Sequence, residues 1–465
     1  MSLPDKFSDL QTLEQTLEVF DETIEDLEKI SSRYFEAKQG EPLPVRPAKS
    51  HFVQSIQVHP TSPKLLAISE MANRDQAIYE LYLRQKGKGP IVEEIPGDPS
   101  KTLVTFLYLG DEDTRMVWLS GGPVVEPAAP LNRFGRSHVW FLTAPAALDS
   151  RFGYNFHEEG FQQADGKEIV VQVLDLLDDL NPEFTTQGSS RLEFSRAALD
   201  ASPPPTGRRA GAVFEECLDS KILGSRRWYD LYVPADSHPE GIAIFFDGES
   251  FSKGWPDQEM GPFVRVPEIL DRLIEEGKLP PLLAVFVHAG STRNEDLLFN
   301  PLYADFLADE LLPRVARRDR RLTDPRRVIA AGTSFGGLCA AYSAMQRSES
   351  IGNVLSLSGS FWVDRCDVEY EQVTFQDGAL QREFLHCDQL PIRFFLESGI
   401  YEVPRIVLTN RQFRDVLIAK GYDVLYREYP GNHEYTHWAW AMVDGLLSLT
   451  ESWPRPALPI CLEPR

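Results

Sequence analysis

The pattern of hydrophobic and polar residues divides the chain into regions with different periodicities. Between residues 49 and 165, short segments that alternate apolar and polar side chains are separated by Gly, Pro, Asp and Asn. Alternation with a period of two is typical of half-buried strands, so this region is predicted to form an all-β sandwich domain. The segments predicted as strands are A-I-Y-E-L-Y-L at 77–83, T-L-V-T-F-L-Y-L at 102–109, R-M-V-W-L-S at 115–120 and H-V-W-F-L-T at 138–143.

From residue 211 to residue 455, short apolar runs alternate with segments of helical periodicity. This alternation predicts an α/β domain, with a mostly parallel, doubly wound sheet that carries helices on both faces. The predicted strands are 229–233, 242–246, 282–288, 328–331, 354–357, 392–396 and 424–428, and the predicted helices are 266–276, 303–315, 338–345, 406–420 and 438–448.

Three further segments are predicted to lie outside these two domains. Residues 1–48 hold an acidic stretch with apolar residues at steps of three and four, followed by the proline-rich G-E-P-L-P-V-R-P. We interpret the stretch as a helix packed on its own protein; the alternative is a contact between two copies, which would make a homo-oligomer. Residues 166–210 are predicted to be a linker and residues 456–465 a C-terminal tail. The helical periodicity rests on Leu10, Leu13, Leu17, Phe20, Ile24 and Leu27.

Composition and charge limit the classes of partner. The chain of 465 residues has a formal net charge of −23, which disfavours nucleic acids and anionic membranes as partners. Its five cysteines are widely spaced and form no C-x-x-C pair, which favours a reducing compartment. We find no signal-peptide pattern in M-S-L-P-D-K-F-S-D-L and no apolar run of membrane-spanning length. A cytoplasmic protein is therefore expected.

The candidate chemistry begins in the segment around Ser334. A short apolar run, Val328 to Ala331, leads into G-T-S-F-G-G, and a helix-forming run follows from Leu338. A serine within G-x-S-x-G, between a strand and a helix, is typical of the nucleophile elbow of α/β-hydrolases. A glycine-rich loop with an incidental serine is the alternative, but the flanking strand and helix favour the elbow. Ser334 is therefore the candidate nucleophile.

A serine nucleophile needs a base and an orienting carboxylate, which follow it in the order acid, then histidine, in α/β-hydrolases. Of the histidines downstream of Ser334, His433 lies in the turn Y-P-G-N-H-E after a predicted strand, where the base is expected. The acid is expected after the preceding strand, in I-R-F-F-L-E-S-G-I-Y-E. Glu402, in the loop, is the first candidate, and Glu397, at the strand end, is the reserve.

The oxyanion formed during acyl transfer needs two backbone N–H donors. One is expected from Phe335, the residue after the nucleophile, and the other from Glu249, in the turn that follows the predicted strand I-F-F-D-G.

The segment His433 to His437 also reads H-E-x-x-H, a zinc motif when it lies on a helix. Because Pro430, Gly431 and Asn432 come immediately before it, His433 is expected in a turn or at the start of a helix. The metal-independent serine mechanism is therefore favoured over a zinc site.

Together these residues and several other motifs resemble the enterochelin (enterobactin) esterase family, in the esterase D branch of α/β-hydrolases. The resemblance spans roughly residues 50–450 and includes the predicted sandwich, with R-S-H-V-W-F-L-T at 136–143. The first 48 residues have no counterpart, and the family's G-G-H-D is G-N-H-E in this chain. The other matching motifs are D-L-N-P at 179–182, S-x-x-L-G-x-x-R from Ser220, the D-G turn at Asp247, L-P-P at 279–281, E-L-L-P at 310–313, L-S-x-S-G-S-x-W ending at Trp362, and G-x-H-x-x-x-x-W ending at Trp438.

The resemblance implies that the chain hydrolyses the ester bonds of a catecholate siderophore, ferric or iron-free, and releases its iron. It implies Ser334, Glu402 and His433 as catalytic residues and Arg293, Trp362 and Trp438 as substrate-binding residues. A surface salt bridge with Asp296 is the alternative for Arg293. No cofactor is expected, since iron enters only as part of the substrate. Another esterase D-type reaction, on feruloyl, acetyl or thioester substrates, and a siderophore-binding protein without activity are the competing hypotheses.

Overall fold

Three β-sheets organise the part of the chain that the structure describes. The structure is a computed structural model. The predicted segments 1–48 and 456–465 lie outside its described residues. The dimer contact predicted through the N-terminal segment also lies outside them. The described residues are 61–164, 167–185, 188–194, 210–235, 238–254, 260–318, 320–364 and 378–453.

The N-terminal half contains two antiparallel sheets. One has the strand order β1-β2-β6-β5 and the other β4-β3-β7-β8, with β9 paired to β7. Side chains of both sheets meet in one apolar cluster, in which Phe106 of the first sheet packs with Tyr154 of the second. The elements are helices α1 (Pro63–Ser69) and α2 (Arg74–Gln85) and strands β1 (Ile91–Glu94), β2 (Lys101–Leu109), β3 (Thr114–Gly121), β4 (Ala129–Pro130), β5 (Asn132–Arg133), β6 (Val139–Ala147), β7 (Arg151–Ala164), β8 (Lys167–Leu176) and β9 (Ser190–Glu193).

One of the four strands predicted in this half is wrong. The segment A-I-Y-E-L-Y-L belongs to helix α2, whereas the other three segments lie in β2, β3 and β6. Ile78 and Tyr82 are both buried, while Tyr79 and Leu83 are exposed. The buried positions are thus four residues apart, which is the spacing of one helix face. The aromatic and β-branched side chains suggested a strand, but the packing follows the helical period.

The predicted linker 166–210 is also wrong over much of its length. Residues 167–176 form β8, which pairs with β7 through Gly160 and Val171, and residues 190–193 form β9. Within the acidic segment 175–179, the carboxylate of Asp178 is buried and accepts a hydrogen bond from the Tyr154 hydroxyl at 2.7 Å. The antiparallel sheets therefore extend well past residue 165.

The C-terminal half contains one sheet of eight strands in the order β10-β11-β13-β12-β14-β15-β16-β17. The pairs β10–β11 and β11–β13 are antiparallel. All the pairs that follow in this order, from β13–β12 to β16–β17, are parallel. Every predicted strand of this half is present, and among the described strands the sequence missed the edge strand β10. The strands are β10 (Ala212–Ser220), β11 (Ser225–Val233), β12 (Gly241–Phe245), β13 (Leu282–Val287), β14 (Val328–Thr333), β15 (Asn353–Leu357), β16 (Arg393–Gly399) and β17 (Asp423–Tyr429).

Helices cover both faces of this sheet, and each face has its own buried apolar cluster. Burial on both faces explains why β12, β13 and β14 are apolar runs rather than alternating segments. The helix predicted at 303–315 is two short α-helices joined by a π-helical turn, Phe306–Leu311. The helices are α3 (Val266–Glu275), α4 (Arg293–Leu297), α5 (Pro301–Asp305), α6 (Leu312–Val315), α7 (Phe335–Gln346), α8 (Ala379–His386), α9 (Pro404–Ala419) and α10 (Tyr435–Thr450), with 3₁₀ turns at Gly248–Ser250, Gly290–Thr292, Ala316–Arg318, Arg320–Thr323 and Pro325–Arg327.

In the described ranges, no helix combines the length and the apolar character that a membrane span requires.

Candidate active site

Ser334 lies at the sharp turn between β14 and α7. Its backbone has φ 54° and ψ −119°, an unusual conformation for a residue with a side chain. Strand and helix approach each other so closely that a Cβ at Gly332 would lie 2.3 Å from the carbonyl carbon of Gly336. The turn is anchored to the neighbouring strand β15, because the Ser334 N–H donates to the carbonyl of Leu357 at 3.0 Å. The predicted strand, turn and helix are all present.

The hydroxyl of Ser334 lies at the start of helix α7. Its Oγ is 3.3 Å from the Oγ of Ser360, in the loop after β15. Phe335 is the first residue of the helix, and the first N–H groups of a helix are not used by its internal hydrogen bonds. An anion at this point is favoured by those N–H groups and by the helix dipole.

The turn that contains Glu249 lies beside the elbow. Strand β12 pairs with β14, with Phe245 opposite Ala331, so the segments that follow the two strands are neighbours. A Cβ built on Gly336 would lie 3.3 Å from Cβ of Phe246. The Glu249 carboxylate accepts the Ala289 N–H at 3.0 and 3.1 Å, which fixes the turn to the end of β13. Both predicted oxyanion donors thus belong to adjacent strand ends.

His433 and Glu402 are in direct contact. Nδ1 of His433 lies 2.7 Å from Oε2 of Glu402, whose side chain is fully buried. The other oxygen of Glu402 accepts hydrogen bonds from the Ser358 hydroxyl at 2.5 Å and from the Gly399 N–H at 2.6 Å. Because the carboxylate is held at both oxygens, it fixes the orientation of the imidazole.

The environment of His433 favours its protonated form. Burial alone lowers the pKa of His433, but the carboxylates of Glu402 and Glu126 outweigh it, and the net pKa is above the usual value. Arg405 acts in the opposite direction. An imidazole whose pKa is raised by neighbouring carboxylates can accept a proton from a hydroxyl and hold it as an imidazolium.

Trp438 supports this pair from within the protein. Its indole N–H donates to the Ser358 hydroxyl at 2.9 Å, and its ring meets the His433 ring edge to face. The side chain is buried among the residues that hold Glu402. The expected substrate contact through Trp438 stays a prediction, while its indole N–H is already used inside the protein and its ring packs on the histidine.

Glu397, the reserve acid, belongs to a second glutamate–histidine pair. Its carboxylate is hydrogen-bonded to Nε2 of His437 and accepts two hydrogen bonds from the Arg427 guanidinium, at 2.6 and 2.9 Å. Burial raises the pKa of Glu397, but His437 and Arg427 outweigh it and hold the pKa below the usual value. Burial lowers the pKa of His437 to about 4, so this histidine is neutral near pH 7.

The H-E-x-x-H residues do not share one helix face. His433 precedes helix α10, whereas His437 lies inside it, and the two imidazoles bind different carboxylates. In the described part of the chain, no three His, Cys, Asp or Glu side chains are grouped as metal ligands would be.

Arg293 forms a salt bridge, but with a different partner from the expected one. Its Nε and Nη2 donate to the two carboxylate oxygens of Asp247 at 2.5 and 2.7 Å. Asp296, the partner considered from the sequence, instead binds Arg227 at 2.5 and 3.0 Å. The Arg293 guanidinium also lies over the Phe335 ring, with its carbon 5.5 Å from the ring centroid. Arg293 is thus next to the elbow and paired with the turn that carries Glu249.

A further group of aromatic and cationic side chains adjoins the elbow through Phe335. The rings of Phe335 and Trp362 have centroids 6.3 Å apart, and the guanidinium carbon of Arg405 lies 4.2 Å from the Trp362 ring centroid. No carboxylate among the described residues forms a salt bridge with Arg405. The sequence analysis missed Arg405, although its position three residues after Glu402 was a usable signal.

A second missed residue comes from the N-terminal half of the chain. The Glu126 carboxylate accepts the backbone N–H of His433 at 2.9 Å. The two residues are 307 positions apart, so no local pattern in the sequence relates them.

The fold and the site define an α/β-hydrolase in which a serine elbow follows β14 and a Glu–His pair follows β16 and β17, at the carboxyl edge of one parallel sheet. Residues 220–449 match the family described as "Putative esterase". The hydrolase half of the chain is therefore similar to this esterase family, and the predicted resemblance to enterobactin esterases is confirmed by the relatives described next.

Two curated relatives illustrate the resemblance in sequence. An iron(III) enterobactin esterase of Dickeya dadantii is 34% identical over 254 residues, which cover 53% of this chain and 55% of the relative. The chain thus matches little more than half the length of that relative. An iron(III) enterobactin esterase of Escherichia coli is 28% identical over 365 residues, which cover 75% of this chain and 84% of the relative.

Two solved structures share the fold. The ferric enterobactin esterase of Salmonella typhimurium has a TM-score of 0.62 at 22% identity and covers 80% of this chain and 98% of its own. The enterobactin esterase of Shigella flexneri, determined in the presence of enterobactin, has a TM-score of 0.59 at 24% identity, with the same coverage of 80% and 98%. The predicted α/β-hydrolase fold class is confirmed by these likenesses.

Proposed function

We propose that this chain is a serine esterase that hydrolyses the ester bonds of an enterobactin-like catecholate siderophore. The observation that carries the proposal is the contact between Glu402 and His433 at the strand ends beside the Ser334 elbow. Relatives with up to 34% identity are named for the hydrolysis of iron(III) enterobactin, which supports the choice of substrate. The residue roles that follow are part of the proposal.

Acylation begins when the Oγ of Ser334 attacks an ester carbonyl and His433 takes the hydroxyl proton. The new imidazolium is stabilised by Glu402, which accepts the Nδ1–H. The negative charge on the tetrahedral intermediate is met by the N–H groups of Phe335 and Glu249. The C–O bond of the ester then breaks, and His433 returns its proton to the departing alcohol.

Deacylation repeats these steps with water as the nucleophile. His433 takes a proton from water, the resulting hydroxide attacks the acyl group on Ser334, and the serine oxygen leaves with the proton. The products are the free acid and the regenerated enzyme. Iron takes part only as cargo of the substrate, so the proposed reaction needs no cofactor.

The charge of the substrate explains the cations around the elbow. The chain carries a formal charge of −23, so an anionic siderophore is repelled at long range. We assign capture to Arg405, stacked on Trp362, and to Arg293, over Phe335. Guanidinium groups suit the paired oxygens of catecholates and carboxylates. Because Asp247 already takes two donors of Arg293, Arg405 is expected to contribute more to the binding of an anion.

The cellular setting is also part of the proposal. Cysteine usage and net charge favour the cytoplasm as the place where the siderophore is hydrolysed. A homo-oligomer through the N-terminal helix stays a prediction, since residues 1–48 lie outside the described ranges.

A panel of esters tests the proposal. We expect kcat/KM for a cyclic catecholate tri-ester, ferric or iron-free, to exceed kcat/KM for feruloyl, acetyl and thioester substrates by at least about a hundredfold. Mass spectrometry of the products identifies the linear trimer, dimer and monomer. Higher activity on a feruloyl or acetyl ester would favour another esterase D-type function. Tight siderophore binding without turnover of any ester would indicate a binding protein.

A further inference from the structure

The loop between β3 and β4 extends from the N-terminal half of the chain to the candidate catalytic site. Glu126 of this loop makes contacts with two segments of the hydrolase half. Its backbone N–H donates to the carbonyl of Tyr401 at 2.8 Å. Its carboxylate accepts the His433 N–H at 2.9 Å and is also stabilised by the N–H of Val403. The two neighbours of Glu402 and the backbone of His433 are thus attached to one residue, Glu126.

Further contacts fix the residues on either side of His433. The side-chain amide of Asn432 donates to the carbonyl of Val124 at 3.2 Å. The Glu434 carboxylate accepts the N–H of Gly153, in β7, at 2.7 Å. The turn that presents His433 is therefore attached to the N-terminal sheets at three consecutive residues.

The charged groups that face His433 come from three elements. Glu402 precedes helix α9, Glu126 lies in the N-terminal loop, and Arg405 lies in the first turn of α9. Glu434, next to His433, faces Glu126 as well. Burial holds the pKa of Glu126 above its usual value, although its two N–H donors and the nearby His433 favour the ionised carboxylate.

We propose that Glu126 is a positioning residue for the reaction, which holds the Glu402 and His433 segments in register and adds a second negative charge beside the imidazolium. A residue outside the esterase domain thereby becomes part of the catalytic arrangement. The inference rests on the proposed ester hydrolysis but not on the identity of the ester.

Glu126→Gln is the direct test, because an amide offers one acceptor oxygen and no charge. On a small neutral ester we expect kcat to fall about tenfold or more with little change in KM, since misplaced catalytic groups slow the chemical step. The acidic limb of the kcat/KM profile should move to lower pH by about half a unit, because a negative charge near His433 is lost. The matched control is Glu183→Gln, whose carboxylate binds Arg191, the one side chain it contacts among the described residues, in its own half of the chain.

Glu126→Asp separates the two contributions. The shorter side chain keeps the charge but not the reach, so kcat should fall while the acidic limb stays close to its wild-type position. A wild-type kcat in both variants, or an unmoved limb in Glu126→Gln, would overturn the proposal.

A titration that needs no turnover distinguishes failure of this inference from failure of the proposed function. The pKa of His433 is followed by NMR in a Ser334→Ala background, with and without Glu126→Gln. We expect a lower pKa in the double variant. An unchanged pKa would overturn the inference, whatever ester the protein hydrolyses.

Discussion

Glu397, near the end of β16, and Glu402, in the loop that follows, are five residues apart, and each binds a different histidine of the His433–His437 segment. Glu402 is buried and, among the described residues, has no arginine or lysine bound to it, whereas Glu397 is shared between His437 and Arg427. The two pairs therefore differ in chemistry: one histidine is held as a base with a raised pKa, and the other stays neutral inside the protein.

Exchanging each glutamate for glutamine separates catalysis from stability. Glu402→Gln should lower kcat by on the order of a thousandfold with little change in KM, because the imidazole loses its orienting carboxylate. Glu397→Gln should retain much more activity but lower the free energy of unfolding by on the order of 2 kcal/mol, because a buried ion pair with a half-exposed Arg427 is broken. Kinetics and urea unfolding of both variants check this. The reverse ranking in kcat would assign the acid to Glu397.

The two glycines of the elbow should differ in their tolerance of a methyl group. In Gly332→Ala the new Cβ would lie 2.3 Å from the backbone carbonyl carbon of Gly336, so the elbow must move. We expect this to lower the free energy of unfolding by about 3 kcal/mol or more. In Gly336→Ala the Cβ would lie 3.3 Å from the Cβ of Phe246, which a small shift relieves. Thermal unfolding and ester hydrolysis of both variants provide the comparison. Equal stability would mean that the strand and helix are less closely packed than described.

Arg405 and Arg293 should respond differently to the charge of the substrate. Arg405→Ala should raise KM for an anionic catecholate ester about tenfold and leave KM for a neutral ester nearly unchanged. Since Arg405 lowers the pKa of His433, its removal should also move the acidic limb to higher pH.

Arg293→Ala should reduce activity on both esters, with the larger loss on the anionic one, because Asp247 is left unpaired beside the elbow. Steady-state kinetics on the two esters measures these effects. Equal losses on both esters in Arg405→Ala would remove its role in substrate binding.

The sequence predicted the elements and residues that depend on local pattern. The elbow and seven of the strands in the large sheet follow from apolar runs and glycine spacing, and the order of serine, acid and histidine placed Glu402 and His433. Helix α2 was misread because its buried residues, Ile78 and Tyr82, lie within a run of strand-forming side chains. Glu126 and the Arg293–Asp247 pair depend on contacts between distant segments, which composition and periodicity do not encode.

Glu434 should make stability depend on pH. Burial raises the pKa of its carboxyl from 4.5 to about 8, so the folded state favours the protonated form. The stability that the protonated carboxyl contributes is fully present below the pKa of the unfolded state. It is lost as the pH rises towards the pKa of the folded state. Glu434→Gln should therefore become more stable relative to the wild type between about pH 5 and about pH 9.

The measurement is the free energy of unfolding in urea at several pH values, with Glu183→Gln as the control. If the difference in the free energy of unfolding between Glu434→Gln and the wild type does not change with pH, Glu434 is ionised in the folded protein at all of these pH values.

The central claim is that Ser334 cleaves the ester bonds of a catecholate siderophore. The most direct measurement is mass spectrometry of a cyclic catecholate tri-ester incubated with the wild type and with Ser334→Ala, after both proteins are shown to be folded and to bind the substrate. We predict that the wild type converts the tri-ester to linear products and that Ser334→Ala is slower by on the order of a thousandfold or more. Hydrolysis by Ser334→Ala at a rate within about tenfold of the wild type would contradict the account.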